Sequence, residues 1–408
     1  MIRNIVALLI FITVALSINA QLPFKYDNTV YKAVYLNEAF RLMDSSSKYL
    51  LLDVRSPGEY ADTSRHTALN IGRIKGAVNI DIDAVPAHLE ELKKYTDQPV
   101  FIYCSHSQRS RRVSKLLAEN GFTKVYNING GMSVVNESDD KTFLYKSKVL
   151  VTNTSYKNIA SADAIDLITN TADLVIIDIR TEKEFASKDT LLQNNIGRLK
   201  KAINISQDVF ATKFDSYNIP KNKPVLLYDL YGHNSMDVVD ILREKGFTHI
   251  YNLFEGLTYL ISDHRLTNTL RNQLFANAPS YQLLDPKACI DLLTREPNII
   301  VFDTRPADEF KNKSKIGYLN LGYIKGAINI ASAEAAETLI RKKAGAAPIL
   351  VYGSNSDLGM ITCQELIKKG YKNVNFLSQG LYRFVWSTMN IENCKEGKKF
   401  LTNHEGLY

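Results

Sequence analysis

The chain has 408 residues, 45% hydrophobic and 23% charged, with a formal net charge of +7. That length exceeds one ordinary hydrophobic core, so about two to four domains are expected, and the composition excludes a disordered chain. Lys and Arg are interleaved with Asp and Glu rather than run together, which argues against a nucleic-acid groove.

Residues 1–20 carry Arg3, an apolar stretch from Ile5 to Leu16, and then the small residues Ser17 and Ala20. That order is expected of a secretory signal, with cleavage after Ala20. The apolar stretch is well short of the ~20 residues a membrane span needs. The mature chain is therefore expected to be exported, periplasmic or secreted, and free of the membrane once cleaved.

Beyond the signal the chain repeats itself. Asp53-Val54-Arg55 with Glu59 recurs as Asp178-Ile179-Arg180 with Glu184, then as Asp303-Thr304-Arg305 with Glu309, advancing 125 positions per copy. Tyr31, Tyr156 and Tyr281 keep the same step, as do Gly72, Gly197 and Gly322. Ala77-Val78-Asn79-Ile80 recurs as Ala202-Ile203-Asn204-Ile205 and Ala327-Ile328-Asn329-Ile330. The repeat is too long for a solenoid unit of ~20–50 residues, so each copy is a whole domain. The expected domains are 21–147, 148–272 and 273–408.

Within one copy, a helix from Ala164 to Thr169 leads to an apolar strand, Leu174 to Asp178. A charged turn follows, then a short strand ending at Ile205. A second buried strand, Val225 to Tyr228, precedes more helix, and a last strand runs from His249 to Leu253 before Glu255-Gly256. Continuous apolar strands alternating with helices predict an α/β fold of three tandem domains, each a parallel sheet flanked by helices. Ligands in such sheets gather beyond the carboxyl ends of the strands.

The first copy places a cysteine at such an end. Pro99 to Tyr103 reads as a buried strand and Ser110 to Asn120 as a helix. Between them lie Cys104, Ser105, His106, Ser107, Gln108 and Arg109. A cysteine at a strand end, an arginine five positions on and a helix beginning there make an anion loop. Inward-pointing N–H groups and the helix N-terminus both favour the thiolate, which is the nucleophilic form.

The other cysteines lack that context. Cys289 and Cys363 fall on apolar helix faces and read as small buried hydrophobes, while Cys394 is left either free or paired. A chain this long buries enough core without disulfide staples. The seven histidines are scattered without ligand spacing, so neither a metal site nor a cofactor is expected.

These features together resemble the rhodanese family. The resemblance rests on the Asp-x-Arg-x-x-x-Glu turn, the segment Gly72 to Ile80, the Cys-x-x-x-x-Arg loop and the closing stretch Gly121 to Gly131. It covers essentially the whole mature chain as three rhodanese-like domains. It implies sulfurtransferase chemistry, in which the loop cysteine takes a sulfane sulfur, becomes a persulfide and passes it to a nucleophilic acceptor. The implied partners are a small sulfur-containing donor and a thiol acceptor, with a protein partner for the second and third copies.

On that reading Cys104 is the nucleophile, and the N–H groups from Ser105 through Ser110 cradle the terminal sulfur. Arg109 adds fixed charge to the cradle. His106 reads either as a group titrating near neutrality or as a solvent-facing loop residue. Arg111 and Arg112 read either as attractors of anionic donors or as solvated. Asp53, Arg55 and Glu59 read as an ion-paired turn that holds the sheet edge, because all three copies keep them. Only the first copy keeps the nucleophile: Asp229 and Gly353 stand at the cysteine position, and Asn234 and Leu358 at the arginine position. Both later copies are expected to be silent.

Two departures from the family pattern stand out. Ser107 occupies a place where active loops often have glycine, which predicts backbone strain. Glu59 stands where the thiosulfate-cleaving branch tends to place an arginine, so polysulfide and protein or low-molecular-weight persulfides are equal candidates as donor. Two other readings stay open. A phosphatase or arsenate reductase uses a similar loop with five intervening residues instead of four, and a binding or redox-sensing protein needs no turnover at all.

Overall fold

The computed structural model describes residues 26–341, 347–354 and 357–402. The expected signal, 1–20, lies outside them. Each copy folds into one five-stranded sheet, and every strand pair within it is parallel. In the first copy the strand order is Lys32–Val34, Val125–Ile128, Val100–Tyr103, Leu50–Asp53 and Val78–Asn79. The second and third copies repeat this order around Val225–Tyr228 and Ile349–Tyr352 at their centres. The three central strands are buried along their whole length. Helices cover both faces, as apolar runs without alternation require.

Side chains repeated in the sequence turn out to be struts. Arg55 pairs with Asp53 at 2.7 Å and donates to the Gly72 carbonyl at 2.8 Å. Arg180 and Arg305 do the same toward Asp178 and Gly197, and Asp303 and Gly322. Asn79, Asn204 and Asn329 each donate to the carbonyls of that Asp and Arg. Tyr103, Tyr228 and Tyr352 accept from Ile74, Leu199 and Ile324. The structural reading of Asp53 and Arg55 therefore holds: both are fully buried in one another's company. A buried charge persists only when paired and hydrogen-bonded in this way.

Each Gly-x-Ile or Gly-x-Leu segment is clipped by the chain that leaves its own domain. Arg73–Ile74 pairs antiparallel with Leu150–Val151, Arg198–Leu199 with Phe275–Ala276, and Tyr323–Ile324 with Leu401–Thr402. The clips carry the first and second copies a few residues beyond 147 and 272.

The copies also pack on one another. Phe254 and Trp386, from the second and third copies, enter a hydrophobic cluster of the first. Another cluster runs continuously from Ile159 in the second copy to Phe376 in the third. Where all three meet, Arg383 of the third copy reaches Glu137 of the first at 2.5 Å and lies 4.6 Å over the ring of Tyr259 of the second. Beside them is a cavity of about 110 Å³. Among the described residues, no helix is long and apolar enough to cross a membrane.

Candidate active site

Cys104 directly follows the strand Val100–Tyr103, with its carbonyl accepting from Met132 N at 2.9 Å. Gly131, at the start of the helix Gly131–Glu137, presses on that carbonyl so closely that a Cβ there would lie 2.0 Å from the oxygen. The residue is 1% exposed. The helix after the loop runs from Gln108 to Glu119, two residues earlier than Ser110, so Gln108, Arg109 and Ser110 form its first turn. First-turn amides have no acceptor inside their own helix, which leaves them facing the end of the sheet.

Ser107 is the residue before that turn. Its φ of 78° lies in the left-handed region, so the strain expected of a serine at this position is present. Its Oγ lies 3.1 Å from Asn390 Oδ1, at the end of the third copy's helix Gly380–Asn390. Ser110 Oγ lies 2.6 Å from Asn127 Oδ1, and the Ser105 carbonyl accepts from Ser133 N at 3.0 Å. Gln108 is half-buried at the helix start.

Two expectations for the loop need correction. Glu59 is not confined to its turn. It completes a capping box with Ser56, as expected of a structural residue, but its two oxygens also take Arg109 NH1 and NH2 at 2.6 Å each. Burial pushes the Glu59 carboxyl up, and the Arg109 guanidinium outweighs it and holds the group below the usual carboxylate range. Arg109 also reaches Ser105 Oγ at 3.0 Å. Its charge is thus held in place by Glu59 and Ser105, so it acts on the loop as part of a pair and is not free to clamp a donor. Sequence alone hid this contact because fifty positions separate the partners.

His106 is neither solvent-facing nor titrating near neutrality. It is half-buried, and burial, then Arg383, Arg109 and His233, push it down to about 4. Two of those neighbours come from the other copies, which a single-domain reading cannot foresee. Arg111 is buried against Asp27 at 3.0 Å and Asn129 at 3.2 Å, so it is not available to a donor, while Arg112 is exposed. Cys289, Cys363 and Cys394 are free and buried, and burial raises all three thiols, that of Cys394 to about 12.

In the second copy the same loop is filled by a carboxylate. Asp229 Oδ1 accepts from Tyr231 N at 2.7 Å and from Gly232 N, and Oδ2 from Asn234 N at 2.6 Å and Ser235 N at 2.8 Å. These four amides correspond to those of His106, Ser107, Arg109 and Ser110. In the third copy Gly353 offers only its carbonyl, to Leu381 N at 3.1 Å.

Among the described residues, one group has metal-ligand proximity: Asp263, His264 and Asp285, with ligand atoms within 4.8 Å of each other. Their donors and acceptors are already engaged. Asp285 caps the helix Pro286–Arg295 and lies 2.8 Å from His264 Nδ1, while Asp263 pairs with Arg265. This is a junction between the second and third copies.

Three tandem α/β domains, each on a parallel five-stranded sheet, carry a cysteine after the central strand in the first copy and Asp229 or Gly353 there in the others. The chain belongs to the family described as Rhodanese-like domain, whose pattern matches residues 36–138, 161–262 and 285–385. It is 33% identical over 128 residues to the uncharacterized protein YqhL of Bacillus subtilis (strain 168), covering 31% of this chain and 89% of that protein. It is 31% identical over 96 residues to a tRNA uridine(34) hydroxylase of Cytophaga hutchinsonii, covering 23% of this chain and 28% of the hydroxylase's length. Among solved structures it resembles a thiosulfate sulfurtransferase from Pseudomonas aeruginosa, at 13% identity and a TM-score of 0.22, covering 85% of this chain and 66% of that one.

Proposed function

We propose that this chain is an exported sulfurtransferase that moves a sulfane sulfur through a Cys104 persulfide to a thiol acceptor. The observation that carries the reading is the second copy's loop, where four converging amides hold the Asp229 carboxylate. In the first copy the corresponding residues, His106, Ser107, Arg109 and Ser110, follow Cys104 at the same spacing, with Ser107 left-handed as Gly232 is. Amides disposed in the same way would meet a negative charge on its sulfur. In the first half-reaction the Cys104 thiolate attacks the sulfane sulfur of a polysulfide or persulfide. A Cys104 S–S bond forms, the donor's S–S bond breaks, and the donor leaves as a thiolate or hydropolysulfide with the bonding electrons. In the second, the acceptor thiolate attacks the terminal sulfur and Cys104 leaves as the thiolate. Asn234 and Leu358 leave the other copies without the Arg109 charge, and neither copy has a thiol, so their roles are structural or partner-binding.

Intact-protein mass spectrometry after exposure to sulfane-sulfur donors tests this. The expected result is one added sulfur on Cys104, removed by a thiol. A chain that takes up no sulfur from any donor returns the function to binding or redox sensing, the reading that the burial of Cys104 at 1% exposure favours. N-terminal sequencing of the protein recovered outside the cytoplasm tests cleavage after Ala20.

A further inference from the structure

We propose that the third copy, silent in its own loop, supplies a positioning residue for the first: Asn390 holds Ser107, and through it the cradle around Cys104. The inference rests on Cys104 being the reactive thiol.

Two left-handed backbone positions flank the loop, and they meet at one side chain. Ser107 has φ 78° and Gly130 has φ 74°. A residue other than glycine seldom takes this left-handed conformation without a restraint. Asn390 Oδ1 lies 3.1 Å from Ser107 Oγ and accepts from Gly130 N at 2.9 Å. Gly130 N also donates to Ser107 Oγ. A Cβ on Gly130 would lie 3.3 Å from Asn390 Cβ, so the Asn390 side chain packs directly against Gly130. Asn390 and Ser107 are 2% and 0% exposed, so water does not stand in for either partner.

The amide of Asn390 is itself oriented. Its Nδ2 donates to the Trp386 carbonyl at 2.8 Å within the helix Gly380–Asn390, which turns Oδ1 toward the loop. Ser107 precedes the first turn of the helix Gln108–Glu119, so its conformation sets where that turn's amides point. The second copy gives the contrast. There the equivalent residue is Gly232, φ 76°, which takes the left-handed conformation without a side-chain partner. The active copy has the more strained residue and draws its restraint from another domain, 283 positions along the chain.

The test uses the full chain and a rescue. Asn390→Ala is expected to slow both sulfur loading and iodoacetamide alkylation of Cys104 at fixed pH by about fivefold, the worth of roughly one net hydrogen bond. Hydrogen exchange of the peptide containing residues 104–112 is expected to quicken. Adding Ser107→Gly to Asn390→Ala removes the side chain that needs the partner, and loading, alkylation and exchange are expected to return most of the way to wild type. Wild-type rates in Asn390→Ala overturn the proposal. So does a double variant as impaired as the single one, since that outcome assigns the loss to general destabilisation of the domain interface. If the wild type takes up no sulfur, the proposed function fails, while alkylation and exchange still decide what Asn390 does.

Discussion

The loops of the first and second copies share a strand end and a left-handed residue, Ser107 and Gly232, but have different occupants. The first runs straight into an α-helix from Gln108, while the second makes a 3₁₀ turn over Asn234–Val238. In the second, four amides close on the Asp229 carboxylate, and the loop becomes an internally braced turn. In the first, the position belongs to Cys104. On the proposed function, the cradle is a property of strand, turn and helix start, and what it does depends on the residue that follows the strand. In the second copy the carboxylate satisfies four amides that would otherwise lack an acceptor.

The largest effect separates the two occupants directly. Cys104→Ser is expected to abolish sulfur uptake with the fold retained, while Ser at Cys289, Cys363 or Cys394 leaves turnover largely unchanged. Turnover that survives Cys104→Ser would move the site elsewhere. Adding Asp229→Cys to Cys104→Ser is expected to restore nothing, because Asn234 brings no charge where Arg109 stands.

Asp229→Ala should be the next largest change, this time in stability. It removes a buried acceptor from four N–H groups at once, and hydrogen bonds to charged groups are worth ~1.5–3 kcal/mol each before compensation by water. A net loss of about 3 kcal/mol is expected, read as a lower melting temperature of the full chain. An unchanged melting temperature would show that water satisfies these amides, and the comparison with the Cys104 cradle would lose its force.

Arg109→Ala is expected to slow loading about tenfold, since it removes the charge that Glu59 and Ser105 hold beside Cys104 and charge-assisted interactions are worth ~1.5–3 kcal/mol. Glu59, 3% exposed, is then left without its partner, so Glu59→Gln combined with Arg109→Ala should be more stable than Arg109→Ala alone. A double variant no more stable than the single one would show that the pair is not coupled.

Much of the fold and part of the site were legible from residue order. The 125-position step located three domains because struts such as Asp53, Arg55 and Asn79 are short-range and identical in each copy. The cysteine, its loop and the changed residues at the same positions of the other copies were equally legible, being contiguous in sequence. What stayed hidden lies between distant segments. Glu59 looked like a turn residue because its capping box is local, while its grip on Arg109 is not. His106 looked solvated because Arg383 and His233 belong to other domains. Asn390 gave no signal, as an asparagine ending a helix is unremarkable until its partner is known.

His106 sharpens the comparison through pH. Its folded value is about 4, against an ordinary 6.5. Between those values the unfolded chain binds a proton that the folded loop refuses, so stability falls as pH drops through that window and is level above it. His106→Asn is expected to lessen the loss on acidification and leave neutral-pH stability little changed. A wild-type melting temperature that is flat from pH 6.5 to 4, and identical in His106→Asn, would place the imidazole in solvent.

The smallest effect concerns the third copy, where Leu358 stands at the arginine position. Glu309 there is buried, its Oε2 has no hydrogen-bond partner among the described residues, and burial raises its carboxyl above the usual value. Leu358→Arg would face Glu309 as Arg109 faces Glu59. Desolvation of a new guanidinium offsets most of the attraction, so a gain below about 1 kcal/mol is expected. The gain should be present at neutral pH, where pairing ionises Glu309, and vanish once acid protonates it. No sulfur uptake should accompany it, because Gly353 offers no thiol. A stabilised but inert third copy would establish the Arg–Glu pair as part of the domain's architecture, to which Cys104 adds the chemistry. Destabilisation at every pH would instead mean that the pair is tolerated only beside a loop such as that of Cys104, and that the third copy has repacked around its loss.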